Sequence, residues 1–140
     1  MASGGLGWAL PAAVGLALAS PGRRVAAIIG DGSMMYSIQA LHAAAQLRLP
    51  LTTVVLNNGG YGAMRSFSRA MNLQGAPGID ITGLDFPALA AGHGCEGVRV
   101  ETAGAFAAAL SHALRSGRPW LIDAAVDPSF GELYAAGPPA

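Results

Sequence analysis

The sequence predicts an α/β fold, a doubly wound parallel sheet with helices on both faces. Three observations carry that expectation. Short apolar runs, most of them rich in β-branched residues, recur at Val25–Ile29, Leu51–Leu56, Val98–Val100 and Trp120–Val126. Stretches with helical spacing of apolar residues separate them, and such alternation implies parallel strands joined by right-handed crossovers. The first two runs each end in a glycine-rich polar turn, Gly30-Asp31-Gly32-Ser33 and Asn57-Asn58-Gly59-Gly60. Ligands of open parallel sheets bind outside the carboxyl ends of the strands, where both turns fall.

Each element has a local cause. Trp8 to Ser20 reads as a buried helix that tolerates Pro11 in its first turn, and Pro21-Gly22 ends it. The run Val25 to Ile29 has the pattern of a strand covered on both faces. Ser33 to Leu49 is expected to be one helix, with Ser33 as N-cap, Ile38, Leu41, Ala45 and Leu49 on one side, and Pro50 closing it. Leu51 to Leu56 is the next strand. Tyr61 to Met71 forms a short helix after the Gly59-Gly60 turn. Residues 72–84 carry Gly75, Pro77, Gly78 and Gly83 and read as an irregular loop. Asp85 caps a short helix with Pro87 near its start, running to Ala91. Val98–Val100 is a strand, Thr102–Arg115 a helix ended by Gly117, and Trp120–Val126 the last strand. Residues 1–128 are therefore expected to form the domain, and residues 129–140, rich in Ala, Gly and Pro, a loose tail.

Composition narrows the function classes. Of 140 residues, 52% are hydrophobic and only 11% charged, where roughly 25% charge is usual for a soluble domain. Part of the apolar surface is thus expected to be covered by another chain. Eight basic and eight acidic residues cancel, so no basic stripe marks a nucleic-acid partner. The single cysteine, Cys95, excludes an internal disulfide framework and fits a reducing cytoplasm as a small buried apolar residue. Residues 1–19 imitate a secretion signal, but no Lys or Arg precedes the apolar stretch and Arg23 and Arg24 follow it. The expectation is a cytoplasmic protein without a membrane span.

The paired turns suggest a chemistry. Asp31 offers a carboxylate at the end of the first strand, Asn58 a neutral side-chain oxygen at the end of the second, and Gly59-Gly60 a turned main-chain carbonyl. Such oxygens suit a hard cation such as Mg²⁺, and the cation suits a diphosphate. A helix opening at Ser33 would favour the same anion through its N-terminal amides. Asp-Gly and Asn-Gly are also ordinary turn dipeptides; what sets them apart here is their joint placement after two strands with one crossover between. A dinucleotide fingerprint fits less well, because Gly5-Leu6-Gly7-Trp8-Ala9-Leu10 lacks its third glycine and no strand precedes it.

Gly30-Asp31-Gly32 followed by Asn57-Asn58 resembles the signature of thiamine-diphosphate (ThDP) enzymes. Residues 4–13 resemble the segment that normally precedes that signature, and the likeness continues through residues 58–63, residues 77–80 and the strand around Asp123. Within the family the pattern is similar to the benzoylformate decarboxylase group. The resemblance implies the fold of the C-terminal ThDP-binding domain, N-terminally incomplete. It implies Mg²⁺ held by the side chains of Asp31 and Asn58 and the carbonyl of Gly60, which stands where the decarboxylases have threonine. It implies cofactor contacts from Gly4, Leu6, Gly30, Gly32, Ser33, Tyr36 and Tyr61, with Leu6 under the thiazolium and the Gly4 carbonyl accepting from the aminopyrimidine amine. Ala63, Met64, Phe67 and Ile79 would form an apolar wall for the side chain of a 2-oxo acid.

The same resemblance implies what this chain lacks. The family's activating glutamate comes from a pyrimidine-binding domain of the partner subunit, and Glu96, Glu101 and Glu132 match no such motif. His42, His93 and His112 match no catalytic motif either. The expected function is the Mg²⁺- and ThDP-binding portion of a 2-oxo acid decarboxylase, inactive without a pyrimidine-binding domain or subunit and homo-oligomeric when intact. The alternatives are a fragment of an acetolactate-synthase-like carboligase and a non-catalytic interaction module that retains the fold.

Overall fold

Apolar residues at every position from 51 to 56 but the two threonines suit residues 51–57 to an inner strand of the sheet. In the computed structural model, which describes residues 5–73 and 75–129, the strands are β1 (Val25–Gly30), β2 (Leu51–Asn57), β3 (Glu96–Val100) and β4 (Trp120–Ala125). All pair in parallel, in the order β1-β2-β4-β3. The helices are α1 (Ala9–Ala19), α2 (Asp31–Met35), α3 (Ala40–Gln46), α4 (Gly62–Ala70), α5 (Phe86–Gly92) and α6 (Ala103–Ser116). The expected α/β architecture is present, with α1, α3 and α5 on one face and α6 on the other.

Two cores hold the layers together. Leu10, Ala17, Val25, Ile29, Leu41, Leu51, Val55, Phe86 and Leu121 pack on the α1 side. Val54, Val100, Ala113, Ile122 and Ala124 pack under α6. Each large side chain so removed from water contributes roughly 1.5–3 kcal/mol. Local chemistry finishes the ends as expected: the side chain of Asp85 accepts from the Ala88 amide at 2.9 Å, that of Thr102 accepts from Ala105, and Gly117 takes the left-handed conformation after α6. Among the described residues no helix is long and apolar enough to cross a membrane. The loose tail expected over residues 129–140 lies, Ser129 apart, outside the described residues.

Two expectations are corrected. Strand β1 is covered on one face only, because α6 packs chiefly against β2, β3 and β4; Ile28 is 68% exposed on the open face. The single helix expected from Ser33 to Leu49 is two, α2 and α3, joined by turns over residues 36–39. The break has a tertiary cause. Ser37 donates its hydroxyl to the carbonyl of Gly7 at 2.6 Å, tying the middle of the segment to the chain before α1. Ser33 is consequently not an N-cap: α2 begins at Asp31, and Ser33 Oγ accepts from the Gly7 amide at 3.0 Å instead.

Candidate metal and diphosphate site

The parallel register brings the two turns together. Gly30 lies beside Leu56 in the β1–β2 ladder, so Asp31 and residues 57–60 leave the same edge of the sheet. Asp31 is 2% exposed. Its Oδ1 accepts from the Gly32 amide and its Oδ2 from the Gly60 amide, both at 2.8 Å. The Gly60 amide also reaches Asn58 Oδ1 at 3.3 Å. One N–H is thus shared by the two side-chain oxygens expected to face a cation, and Asp31, Asn58 and Gly60 meet at one point.

The donor set fits Mg²⁺. A buried carboxylate is costly unless a positive charge accompanies it, yet among the described residues no arginine, lysine or histidine forms an ion pair with Asp31. A carboxylate, an amide oxygen and a backbone carbonyl are the oxygens such an ion takes. No cluster of three His, Cys, Asp or Glu side chains occurs among the described residues, so a thiophilic or imidazole-bound metal has no equivalent site there.

The surrounding cofactor candidates fall in two groups. Ser33, Gly30 and Gly32 lie on or beside α2, close to Asp31. Gly32 has no room for a side chain, since a Cβ there would collide with the Tyr61 ring; its role is to admit that ring. Tyr61 meets Tyr36 edge to face, with centroids 6.5 Å apart. Burial, then the Tyr36 phenol and the Asp31 carboxylate, push the Tyr61 phenol up from its ordinary value. Tyr36 itself is exposed. Leu6 precedes Gly7, which is fixed to α2 by Ser33 and Ser37 and packs so tightly on Tyr36 that a Cβ would clash. Leu6 therefore stands exposed near the α2 end of the site rather than in the core. Gly4 lies outside the described residues. Because α2 spans only five residues, its dipole offers an anion less than a full helix would.

Helix α4 turns its chemistry inside out. Ser66 and Ser68 are buried, while Ala63, Met64 and Phe67 face outward. An apolar stripe at helical spacing is thus exposed beside the Gly60–Tyr61 turn. Ile79 stands on the neighbouring loop, where its carbonyl accepts from the Tyr61 amide at 2.9 Å. It also lines a cavity of about 500 Å³ with Arg65, Ser68, Arg69 and Asp80.

Sequence reasoning missed the residues that hold the 57–60 turn. Arg65 donates from Nη2 to the Gly59 carbonyl at 2.7 Å and from Nη1 to the Asn58 carbonyl at 3.2 Å, while its Nε reaches Asp80 at 2.9 Å. The loop behind it adds an isolated antiparallel bridge between Gly60 and Asp80, with Tyr61 N donating to Ile79 O and Ile81 N to Gly59 O. Asp123, buried on β4, accepts from Asn57 and from Arg99. The one signal available in the sequence was a lone acidic residue within the apolar run Trp120–Val126.

Adjacent parallel strands thus deliver a buried carboxylate and an asparagine oxygen to one amide, a donor set whose chemistry fits a metal-bound diphosphate. Residues 1–124 match the family described as thiamine pyrophosphate enzyme, C-terminal TPP binding domain. The benzoylformate decarboxylase of Pseudomonas aeruginosa is 51% identical over 122 residues, 87% of this chain and 23% of that protein. The solved thiamine diphosphate-dependent 4-hydroxybenzoylformate decarboxylase of Rhodococcus jostii RHA1 is 50% identical, with a TM-score of 0.85 over 93% of this chain and 24% of that one. An acetolactate synthase of Bacillus subtilis is 32% identical over 122 residues, 87% of this chain and 21% of that protein. The chain belongs to the thiamine pyrophosphate enzymes and carries their C-terminal cofactor-binding domain. It spans under a quarter of the length of these relatives.

Proposed function

We propose that this domain binds ThDP through Mg²⁺ and serves a 2-oxo acid decarboxylase whose substrate carries an aryl side chain. The observation that carries the proposal is the Gly60 amide shared between Asp31 and Asn58, beside a buried carboxylate with no cation partner among the described residues. Asp31, Asn58 and the Gly60 carbonyl would hold the metal. Gly30, Gly32, Ser33 and Tyr36 would adjoin the diphosphate. Ser33 keeps its proton for that purpose, since among the described residues its hydroxyl accepts from Gly7 and donates to none. Leu6, Tyr61 and the Gly4 carbonyl would contact the thiamine rings. The cofactor, when bound, supplies the carbanion chemistry. The protein's part is to bind and orient it, and Ala63, Met64 and Phe67 would exclude water from the substrate side chain.

The aryl assignment rests on the outward apolar stripe of α4 and on the 51% and 50% identity to aryl 2-oxo acid decarboxylases. Acetolactate-synthase-like carboligation has the support of the weaker match. A pyrimidine-binding domain, from a longer chain or a partner subunit, would supply the activating glutamate, and the intact enzyme would be a homo-oligomer. The test is CO₂ release from phenylglyoxylate. None is expected from this chain alone. Activity is expected when a pyrimidine-binding domain is supplied, with pyruvate a much poorer substrate. Turnover by the chain alone, or a preference for pyruvate, would contradict the proposal.

A further inference from the structure

Asp123 is 0% exposed, in the middle of a strand whose neighbours Leu121, Ile122 and Ala124 pack the two cores. Packing alone gives no reason for a carboxylate there. Exchanging a buried ion pair for apolar residues of similar volume is often neutral or stabilising, so the charge calls for another explanation. Its surroundings provide one. In the ladder Asp123 lies between Val55 of β2 and Arg99 of β3. Asn57, two residues beyond Val55, points to the same face of the sheet. Asp123 Oδ1 accepts from Asn57 Nδ2 at 2.9 Å and its Oδ2 from Arg99 Nη1 at 3.1 Å.

An ionised carboxylate only accepts hydrogen bonds, so Asn57 must present its NH₂ group to Asp123 and its oxygen to the other side. There Asn57 Oδ1 accepts from the Gly59 amide at 3.2 Å. Gly59 sits at φ 72°, where the chain reverses after β2. The main-chain carbonyl of Asn57 meanwhile accepts from Val126 at 3.0 Å. The orientation of one side-chain amide thus links a buried charge on β4 to the turn that carries Asn58 and Gly60. Arg65 grips the same turn from outside through the Asn58 and Gly59 carbonyls.

We infer that Asp123, backed by Arg99, is a positioning residue: it fixes the amide orientation of Asn57 and through it the geometry in which residues 58–60 meet the cation. The inference rests on the Mg²⁺–ThDP reading of that turn, and its test separates the two. The first measurement is amide hydrogen exchange on the cofactor-free chain, comparing Asp123→Asn with the parent. The replacement amide has nearly the same shape but offers a donor as well as an acceptor, so Asn57 is free to flip. Exchange at Gly59 is expected to quicken about tenfold or more, while Val54 and Val55 keep their protection. The second is the Mg²⁺ dependence of ThDP binding with a pyrimidine-binding domain supplied. The Mg²⁺ concentration for half-saturation is expected to rise about 10- to 100-fold, as for other groups that orient a metal ligand from behind. Asn57→Ala should reproduce the effect, and adding Asp123→Asn to it should change the Mg²⁺ dependence no further, since both act along one path. Unchanged Gly59 exchange and unchanged Mg²⁺ dependence in Asp123→Asn would overturn the inference. Equal loss of protection across β2 and β4 would also overturn it, showing a purely structural charge. If the parent itself fails to bind Mg²⁺ with ThDP, the cofactor reading falls, and the Gly59 exchange result still decides whether Asp123 positions the turn.

Discussion

The amide of Gly60 donates to Oδ2 of Asp31 across 2.8 Å, joining two turns that lie one full crossover apart in the chain. That bond makes the ends of β1 and β2 a single site. It also places the carbonyl side of Gly60 in a fixed relation to the one buried carboxylate of the site.

Arg65 is the outer clamp of this arrangement, and its partners differ in worth. Its bonds to the Asn58 and Gly59 carbonyls are partly buried, whereas its ion-pair partner Asp80 is largely exposed. Hydrogen bonds from a charged donor contribute about 1.5–3 kcal/mol, and exposed ion pairs under about 1 kcal/mol. Arg65→Ala is therefore expected to cost about 2 kcal/mol or more in urea unfolding, and Asp80→Ala less than about 1 kcal/mol. The reverse order would show that the ion pair, and not the grip on the turn, is what matters.

Ala63 tests the proposed substrate wall. It lies exposed on α4, on the same outward face as Met64 and Phe67. In the complete enzyme Ala63→Ile would fill that space and shift preference from phenylglyoxylate toward shorter aliphatic 2-oxo acids by a steric block rather than a new attraction. The ratio of kcat/KM for the two substrates in variant and parent reports it. A ratio that does not move would place the substrate elsewhere.

Cys95 provides a pH signature of the fold. Burial pushes its thiol from an ordinary value of 9.0 to about 11. The folded chain then holds the neutral thiol over a range in which the unfolded chain has lost the proton. This contribution to stability is full below pH 9 and is lost as the pH rises toward 11. At about 1.4 kcal/mol per unit it amounts to roughly 2–3 kcal/mol. Unfolding free energies of the parent and of Cys95→Ala at pH 8 and pH 10.5 should converge or cross, with the parent losing about 2 kcal/mol more. Parallel losses would show that the thiol is not buried in solution. Alkylation of Cys95 should correspondingly be slow at neutral pH.

Much of the fold was legible because its causes are local. The runs at residues 25–29 and 51–56 announce strands, and Gly-Asp-Gly and Asn-Asn-Gly announce turns at their ends, so the joining of Asp31, Asn58 and Gly60 followed from topology. What escaped depends on distant contacts. The spacing of Ile38, Leu41, Ala45 and Leu49 is continuous, and the break before α3 comes from Ser37 bonding to Gly7, thirty residues earlier. The exposure of Ile28 follows from how far α6 reaches across the sheet. Arg65, Arg99 and Asp123 are single charges in separate elements, and only the order β1-β2-β4-β3 brings Asp123 between Val55 and Arg99. No periodicity encodes that order.

The most direct test of the site is ThDP affinity against Mg²⁺ concentration, measured by titration calorimetry with a pyrimidine-binding domain supplied. Asp31 is the one anionic ligand assigned to the metal, and Mg²⁺ tolerates departures from its octahedron poorly. Asp31→Ala is expected to abolish Mg²⁺-dependent binding, a loss beyond about 100-fold, since orienting groups behind a ligand already account for 10–100-fold. Asn58→Ala should weaken binding less, because water can replace a neutral oxygen. ThDP affinity in Asp31→Ala equal to that of the parent, with the same Mg²⁺ dependence, would contradict the assignment of the site.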